Sequence, residues 1–543
     1  MAEYFDAIKI EMMLDGETWT DVSADVIAPI NVKQGVLSSD PLQRVANTGT
    51  MSFMLNNSAS NSAGLLGYYA PSNANCRTGF DIGLPVRLMM TYDGREKCKF
   101  TGRIPANGIN VIPGELGTRK TAVTVTDFMD ATAKYEVELP QFTTNKTLSE
   151  IMTLLVADMP IKPEYEDYDT GDYTYAAVFD LVRPKTRLMQ EFGALALSEM
   201  GYIYITHSWT HDEILKAESK SARFENPLLT ELIINTSESG YLLMEDGGYL
   251  LQEDEDKLHL DELQSAWAIA ESHMAMKTTY NNHYVNRVTA KVYPRQEDSE
   301  NQILFSLQKP LSLDAGETRE EYRVTFKDPT GGGARVTSRS METPVATTDY
   351  TMNSEDDGTG DDLTADLSVT VTYGTNGAVY TLENTGETDG YITKLQARGK
   401  GIYTYDPIEY SAEDETSQAA VGIYNRTIDM KYQDDFEVAK EGAEFICSNY
   451  SGIGSVPETV QMAANLSAEH MWAFLQLEIS DGVYVSETVT GIDSYYTING
   501  YEFSILNNQH VLFTWHLMPS NIYGWQLDVD GRSELDLTTR IRR

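Results

Sequence analysis

The sequence predicts a mainly β chain with α+β parts: two tube-like β-barrel domains, a small α+β domain and an inserted immunoglobulin-like β-sandwich. Three patterns lead there. Near both ends of the chain, apolar and polar residues alternate at period 2 in short segments closed by turn signals. Between Thr147 and Met200 the apolar spacing lengthens to that of a helix. Between 297 and 405, short strands recur at roughly ten-residue spacing, the pattern of a sandwich of ~100 residues. At ~100–200 residues per domain, a chain of 543 residues allows roughly three to five domains.

Residues 1–137 are read as the first tube-like barrel. Ile8, Ile10 and Met12 alternate with Lys9 and Glu11, and Asp15–Gly16 marks the turn that follows. Met51, Phe53 and Leu55 give another alternating strand. Val86, Leu88 and Met90 lead to Asp93–Gly94, a tight-hairpin dipeptide, and the chain returns through Lys99–Ile104. TAVTVTDFMDAT (121–132) is expected as one more strand. The loop 57–80 is long for a compact domain, and such loops are usually functional or ordered by a partner. Its apolar residues Leu65, Leu66, Tyr68 and Tyr69 are the candidate subunit-interface anchors. An ordinary surface loop is the alternative.

Residues 138–296 read as an α+β hub domain. Thr147-Leu-Ser-Glu150 fits a capping box ahead of a helix over 148–158, with Ile151, Leu154 and Leu155 on one face. EYEDYDTGDYTY (164–175) reads as a solvated loop. A second helix, 186–200, turns Leu188, Phe192, Leu195 and Leu197 inward and stops at Gly201, and YIYIT (202–206) follows as a strand. In GYLLMEDGGYLLQED (240–254) the unit Gly-Tyr-Leu-Leu-x-Glu-Asp occurs twice, which suggests a hairpin turning at Asp246–Gly248. HYVNRVTAKVYPR (283–295) is a strand.

The inserted sandwich, 297–405, carries strand patterns at Glu320–Phe326, Thr364–Tyr373, 378–386 and 391–402. Residues 406–523 read as a second tube-like barrel with a helix at Asp434–Tyr450, which places Phe436, Ala439, Ala443 and Ile446 on one face. Strands are expected at 475–479, 496–498, 501–506 and 511–519. The C-terminal tail, 524–543, reads as extended and tied to a partner.

Composition narrows the function. Forty-one Lys and Arg against 82 Asp and Glu give a net charge of −41, a field that repels phosphate and argues against sequence-reading nucleic-acid binding. Three cysteines, Cys76, Cys98 and Cys447, without a CxxC pair, argue against a disulfide framework or a four-cysteine zinc site and fit a reducing cytoplasm. No apolar run reaches ~18 residues, so no spanning helix is expected, and the N-terminus does not read as a signal peptide. Thirty-two tyrosines against 16 phenylalanines fit half-buried β surface.

Candidate chemistry is sparse. His207 and His211 have a His-x3-His spacing that could serve a metal on a helix, but they follow a strand and read better as a hairpin end. DDGTGDD (356–362) lacks the EF-hand spacing, and GlyGlyGlyAlaArg (331–335) lacks the Lys-Ser/Thr of a P-loop. No GxSxG surrounds a serine. No carboxylate pair stands out among the 82 acids. The expectation is therefore no catalytic residue, no cofactor and no metal: an assembly component, not an enzyme.

The order of several segments carries a resemblance. WTDVSADVIAPINVKQG (19–35), DPLQRVANTGTMSFMLNNSASNSAGLLGYYAP (40–71), GFDIGLPVRLMM (79–90) and FTGRI (100–104) together resemble the N-terminal region of minor tail or baseplate hub proteins of long-tailed bacteriophages. The matching positions are Trp19, Asp21, Val22, Gly35, Arg44, Val45, Ala46, Gly49, Asn57, Ser58, Gly67, Tyr69, Pro71, Gly79, Phe80 and Gly83. LMQEFGALALSEMGYIYI (188–205), the GYLL repeat, GYITKLQARGKGI (390–402), SQAAVGIYNRTIDMKY (417–432) and the closing GWQLDVDGRSEL are similar to the same group.

The resemblance implies a homotrimeric hub that joins a hexameric tail tube to the tip and lines the DNA channel. Its partners would be the tail tube protein, the distal tail protein and tip or fibre proteins, with DNA passing non-specifically and the protein located in the virion tail after synthesis in the host cytoplasm. An acidic inner wall would keep DNA phosphate from adhering. Peptidase or lysozyme modules found in some hub-type proteins have no counterpart here. A tail-associated cell-wall or carbohydrate-degrading enzyme is the competing reading.

Overall fold

Asp93 and Gly94 both take positive φ (50° and 71°), the turn geometry that suits the twist of two antiparallel strands. They join Pro85–Tyr92 to Arg95–Arg103. The computed structural model describes residues 4–38, 40–114, 119–137, 143–179, 186–225, 267–270, 275–280, 284–331, 334–452, 455–506 and 509–519. In it this hairpin belongs to a 14-stranded sheet. The main path of that sheet runs Ala275–Tyr280, Ser455–Ala463, Val511–Pro519, Ile492–Ile505, Val26–Gly35, Asn47–Asn56, Lys120–Thr126, Arg95–Arg103, Pro85–Tyr92, Ala7–Met12 and Thr20–Asp21.

This topology corrects the expectation of two barrels. Among the described residues no sheet closes on itself. The strand groups from the two ends of the chain instead meet in one antiparallel ladder, with Ile30 opposite Ile505, Val32 opposite Phe503 and Gly35 opposite Gly500. They also share one core, to which Phe5, Val32, Phe53, Phe100, Phe192, Phe503 and Trp515 all belong. Phe474 shows the sharing directly, its ring lying 6.1 Å from Phe5, 5.1 Å from Phe503 and 5.3 Å from Phe513. Hairpin signals fix local pairing, but the partner of the free edge Val26–Gly35 is chosen by packing.

Several local expectations shift for identifiable reasons. The strand read through 121–132 stops at Thr126, because Asp127 accepts the Met129 amide at 3.1 Å and caps the helix Phe128–Lys134. Leu475, expected in a strand, lies in the helix Ala468–Gln476. The acidic stretch 164–175 is largely exposed as expected but is not all loop: Tyr165–Tyr168 pairs in parallel with Ile214–Glu218, and Tyr175 is buried. Leu154 and Phe436 face outward, and Met152, Val156 and Val438 take up the buried face instead. The helix Leu188–Glu199 ends on Met200, which takes the left-handed conformation expected of Gly201. The capping box holds, with the Thr147 amide donating to Glu150 Oε2 at 3.0 Å ahead of Leu148–Ala157.

Strands Arg287–Val292 and Ile408–Glu413 are antiparallel neighbours, with Val292 opposite Ile408. The chain between them therefore leaves and returns at one end of a small sheet, which Asn425–Met430 completes and the helix Phe436–Tyr450 covers. That intervening stretch builds a six-stranded sheet around Gly390–Thr404 and a three-stranded sheet of Thr318–Thr325, Gly377–Asn384 and Leu367–Gly374. Leu304, Leu313, Met352, Tyr380, Leu382, Ile392 and Leu395 form a core of its own. The GYLL repeat and the tail 524–543 lie outside the described residues. No helix among the described residues is long and apolar enough to cross a membrane.

Candidate functional site

The ladder joining the two strand groups is the position on which an assembly role would depend. At its end Gly35 has φ +94°, and a Cβ there would lie 2.6 Å from Asn499 O and from Gly500 Cα. Only glycine allows that approach.

The strand Arg95–Arg103 alternates Lys97, Lys99 and Thr101 with Cys98 and Phe100, which reads as a half-exposed strand. Here both faces are buried. The polar face is covered by the end of the helix Ala468–Gln476 and the residues after it. Lys97 Nζ donates to Leu475 O at 2.8 Å, so a cation meets the unsatisfied carbonyls of a helix C-terminus. Lys97 and Lys99 lie 2.8 and 2.7 Å from Glu478 Oε1. Burial pushes Lys99 down to about 8. Burial favours the neutral form of Glu478, but the two ammonium groups outweigh it and hold the carboxyl below its ordinary value.

Neutral polar groups complete the cluster. Tyr501 donates its hydroxyl to Gln34 Oε1 at 2.7 Å, and His207 Nε2 lies 2.8 Å from the same oxygen. Burial pushes His207 down to about 4 and Asp127 up to about 7. Residues from the first strands, the middle of the chain and the last strands thus share one buried network. No signal in the sequence finds it, because Lys99 and Glu478 are 379 positions apart and each reads locally as a surface residue.

The loop 57–80 is rolled around Tyr69. That ring is fully buried, with its hydroxyl donating to Asp25 Oδ2 at 2.7 Å and accepting from Arg77 at 3.0 Å. Asn57 Oδ1 accepts the Tyr69 amide at 2.8 Å, and Phe80 packs edge-on at 5.3 Å. Gly79, at φ +83°, passes so close to Leu14 O that a Cβ would collide with it at 1.8 Å. Tyr69 therefore anchors the loop inside its own chain. Tyr68 is part-buried, while Leu65 and Leu66 are 42% and 45% exposed. The structure separates the four sequence-predicted interface residues into two that hold the loop and two that it presents.

His207 and His211 do not share a face. His207 is buried against Asp212 O and Gln34, whereas His211 stacks on Tyr165 at 4.1 Å. Among the described residues no group of three or more His, Cys, Asp or Glu is placed to hold a metal ion.

No protein-family model and no curated protein matches the sequence. Among solved structures, the chain is similar to a tail protein from Neisseria meningitidis MC58, at 8% identity and a TM-score of 0.45, covering 95% of this chain and 97% of that one. It is also similar to the 43 kDa tail protein of prophage MuSo2 from Shewanella oneidensis, at 9% identity and a TM-score of 0.45, covering 95% and 99%. A third is the prophage tail protein gp18 from Listeria monocytogenes EGD-e, at 7% identity and a TM-score of 0.38, covering 94% of each. All three of these solved neighbours are tail proteins, two of them from prophages. At such scores and identities the likeness assigns no residue a role.

Proposed function

We propose that this chain is a structural component of a bacteriophage tail tip, where three copies form a hub that joins the hexameric tail tube to the tip and surrounds the path of the DNA. The observation that carries this reading is the ladder between Val26–Gly35 and Ile492–Ile505, which fuses two strand groups into one sheet. Two such groups per chain, repeated by a three-fold axis, present six comparable faces to a hexameric tube. The main path ends on Thr20–Asp21 and on Ala275–Tyr280, and a neighbouring copy that pairs with those edges removes the hazard of open strands.

In this reading the tube protein and the distal tail protein dock above the ring, and tip or fibre proteins dock below it. The inserted module, 297–405, projects outward. The excess of 82 acids over 41 bases keeps DNA phosphate from adhering to the lumen. Leu65 and Leu66 form the apolar contact between copies, with Tyr68 beside them. The double variant Leu65→Asp/Leu66→Asp, examined by light scattering on a sizing column, is expected to keep the wild-type melting temperature and lose the trimer. A normal trimer in that variant would remove the loop from the interface.

A further inference from the structure

Where the helix Lys220–Glu225, the strand Tyr202–Thr206, the end of Phe436–Tyr450 and the end of Val511–Pro519 converge, they line a small, partly open niche. Its polar lining consists mainly of donors. Arg44 is 4% exposed and Arg223 is 7% exposed. Their guanidinium carbons lie 4.9 and 3.6 Å from the centre of the Tyr202 ring, so two like charges share one aromatic ring. Lys220 stands at the rim.

The available anions do not balance these charges. Arg223 is matched by Glu218 at 3.4 Å and by Asn499, and Lys220 by the exposed Glu441 at 3.5 Å. Arg44 donates one NH1 bond to Met200 O at 2.6 Å. Among the described residues its Nε has no partner and it forms no ion pair. Asp40, the other acid near the niche, accepts the Leu42 amide at 3.0 Å. Tyr202 spends its hydroxyl on Met518 Sδ at 2.9 Å, a weak acceptor. A buried guanidinium without a counter-ion is costly, and it is conspicuous in a chain with twice as many acids as bases.

We infer that the niche between Arg44, Arg223 and Tyr202 is a carboxylate-binding site. Among the described residues Arg44 lines the niche without an anionic partner, and a guanidinium presents the planar donor geometry that a carboxylate matches. Lys220 adds a point charge at the mouth, and the Tyr202 and Tyr450 rings exclude water. The carboxylate is either a free acid or an acidic side chain. Met518 and Pro519 line the niche, and the sequence beyond them carries Asp528, Asp530, Glu534 and Asp536. This inference does not depend on the hub reading.

The test titrates sodium acetate into the full-length protein by calorimetry, with chloride holding the ionic strength constant. Acetate is expected to bind where chloride does not, with at least ten-fold weaker binding in Arg44→Lys and about three-fold weaker binding in Lys220→Gln, a rim variant that leaves the core intact. A second arm uses the full-length chain with Asp528→Asn, Asp530→Asn, Glu534→Gln and Asp536→Asn. Acetate binding in this variant but not in the wild type assigns the niche to a carboxylate of the chain itself. Equal binding in Arg44→Lys, or no preference for acetate over chloride in either background, overturns the site.

Discussion

At the joint, Lys97, Lys99 and Glu478 have side-chain exposures of 2%, 2% and 8%. In the inserted sheets the buried Asp349 meets Arg398, whose side chain stays 30% exposed. The first cluster ties together strands from distant parts of the chain. The second ties Asp349 to a strand only 49 positions away and sits beside a separate apolar core. The contrast suggests that failure at the joint disturbs the whole sheet, whereas failure in the insertion stays local.

The largest effect is expected from Glu478→Ala. It leaves two ammonium groups buried without their anion, a loss of about 3–5 kcal/mol, read by urea unfolding of the whole chain. Gly35→Ala comes next. A positive φ in a non-glycine residue costs of order 1–3 kcal/mol, and contact with Gly500 adds to it, again seen as a shift of the global transition. Asp349→Ala should cost about 1–3 kcal/mol, confined to the insertion. Hydrogen exchange should then rise in 295–404 and stay unchanged at the ladder. Equal loss of protection in both regions would erase the distinction.

The smallest effect is a pH profile of opposite sign in the two regions. Burial raises Asp127 and Glu199 each to about 7, and it does the same for the half-buried Asp481. The folded chain therefore keeps protons that the unfolded chain releases in the ordinary carboxylate range, and this stabilisation is lost as pH rises through about 7. His207, lowered by burial to about 4, acts in the other direction between about 4 and 6.5. Lys99, lowered by burial to about 8, restores stability between about 8 and 10.5.

The body of the protein should accordingly melt several degrees lower at pH 8 than at pH 5. For Asp349, burial is outweighed by Arg398 and the Val345 amide, and its carboxyl is held below the ordinary value. The insertion should change little from pH 5 to 8 and weaken as pH falls through that lowered value. Calorimetric scans at several pH values, with hydrogen exchange to assign each transition, check both halves.

Local chemistry was legible where one short segment contains all the partners. Thr147 and Glu150 announce their capping box, and Asp93–Gly94 announces its hairpin. The period of 434–450 gives the helix, although Phe436 turns outward because the buried stripe follows Val438 and Ala439. Sheet membership was not legible, since the edge Val26–Gly35 finds its partner some 470 positions later. Lys97 and Lys99 have the same alternating pattern whether their face meets water or Glu478. In the loop 57–80 the apolar residues were visible, but which of them fold inward is set by Asp25 and Arg77, through Tyr69.

The central claim is a ring closed between copies through the edges of one sheet. An electron cryo-microscopy reconstruction of the purified full-length chain tests it most directly. The account predicts three copies about an axis, with the edge Ala275–Tyr280 of each paired to the copy beside it. Single-copy particles with both sheet edges bare to solvent would contradict it.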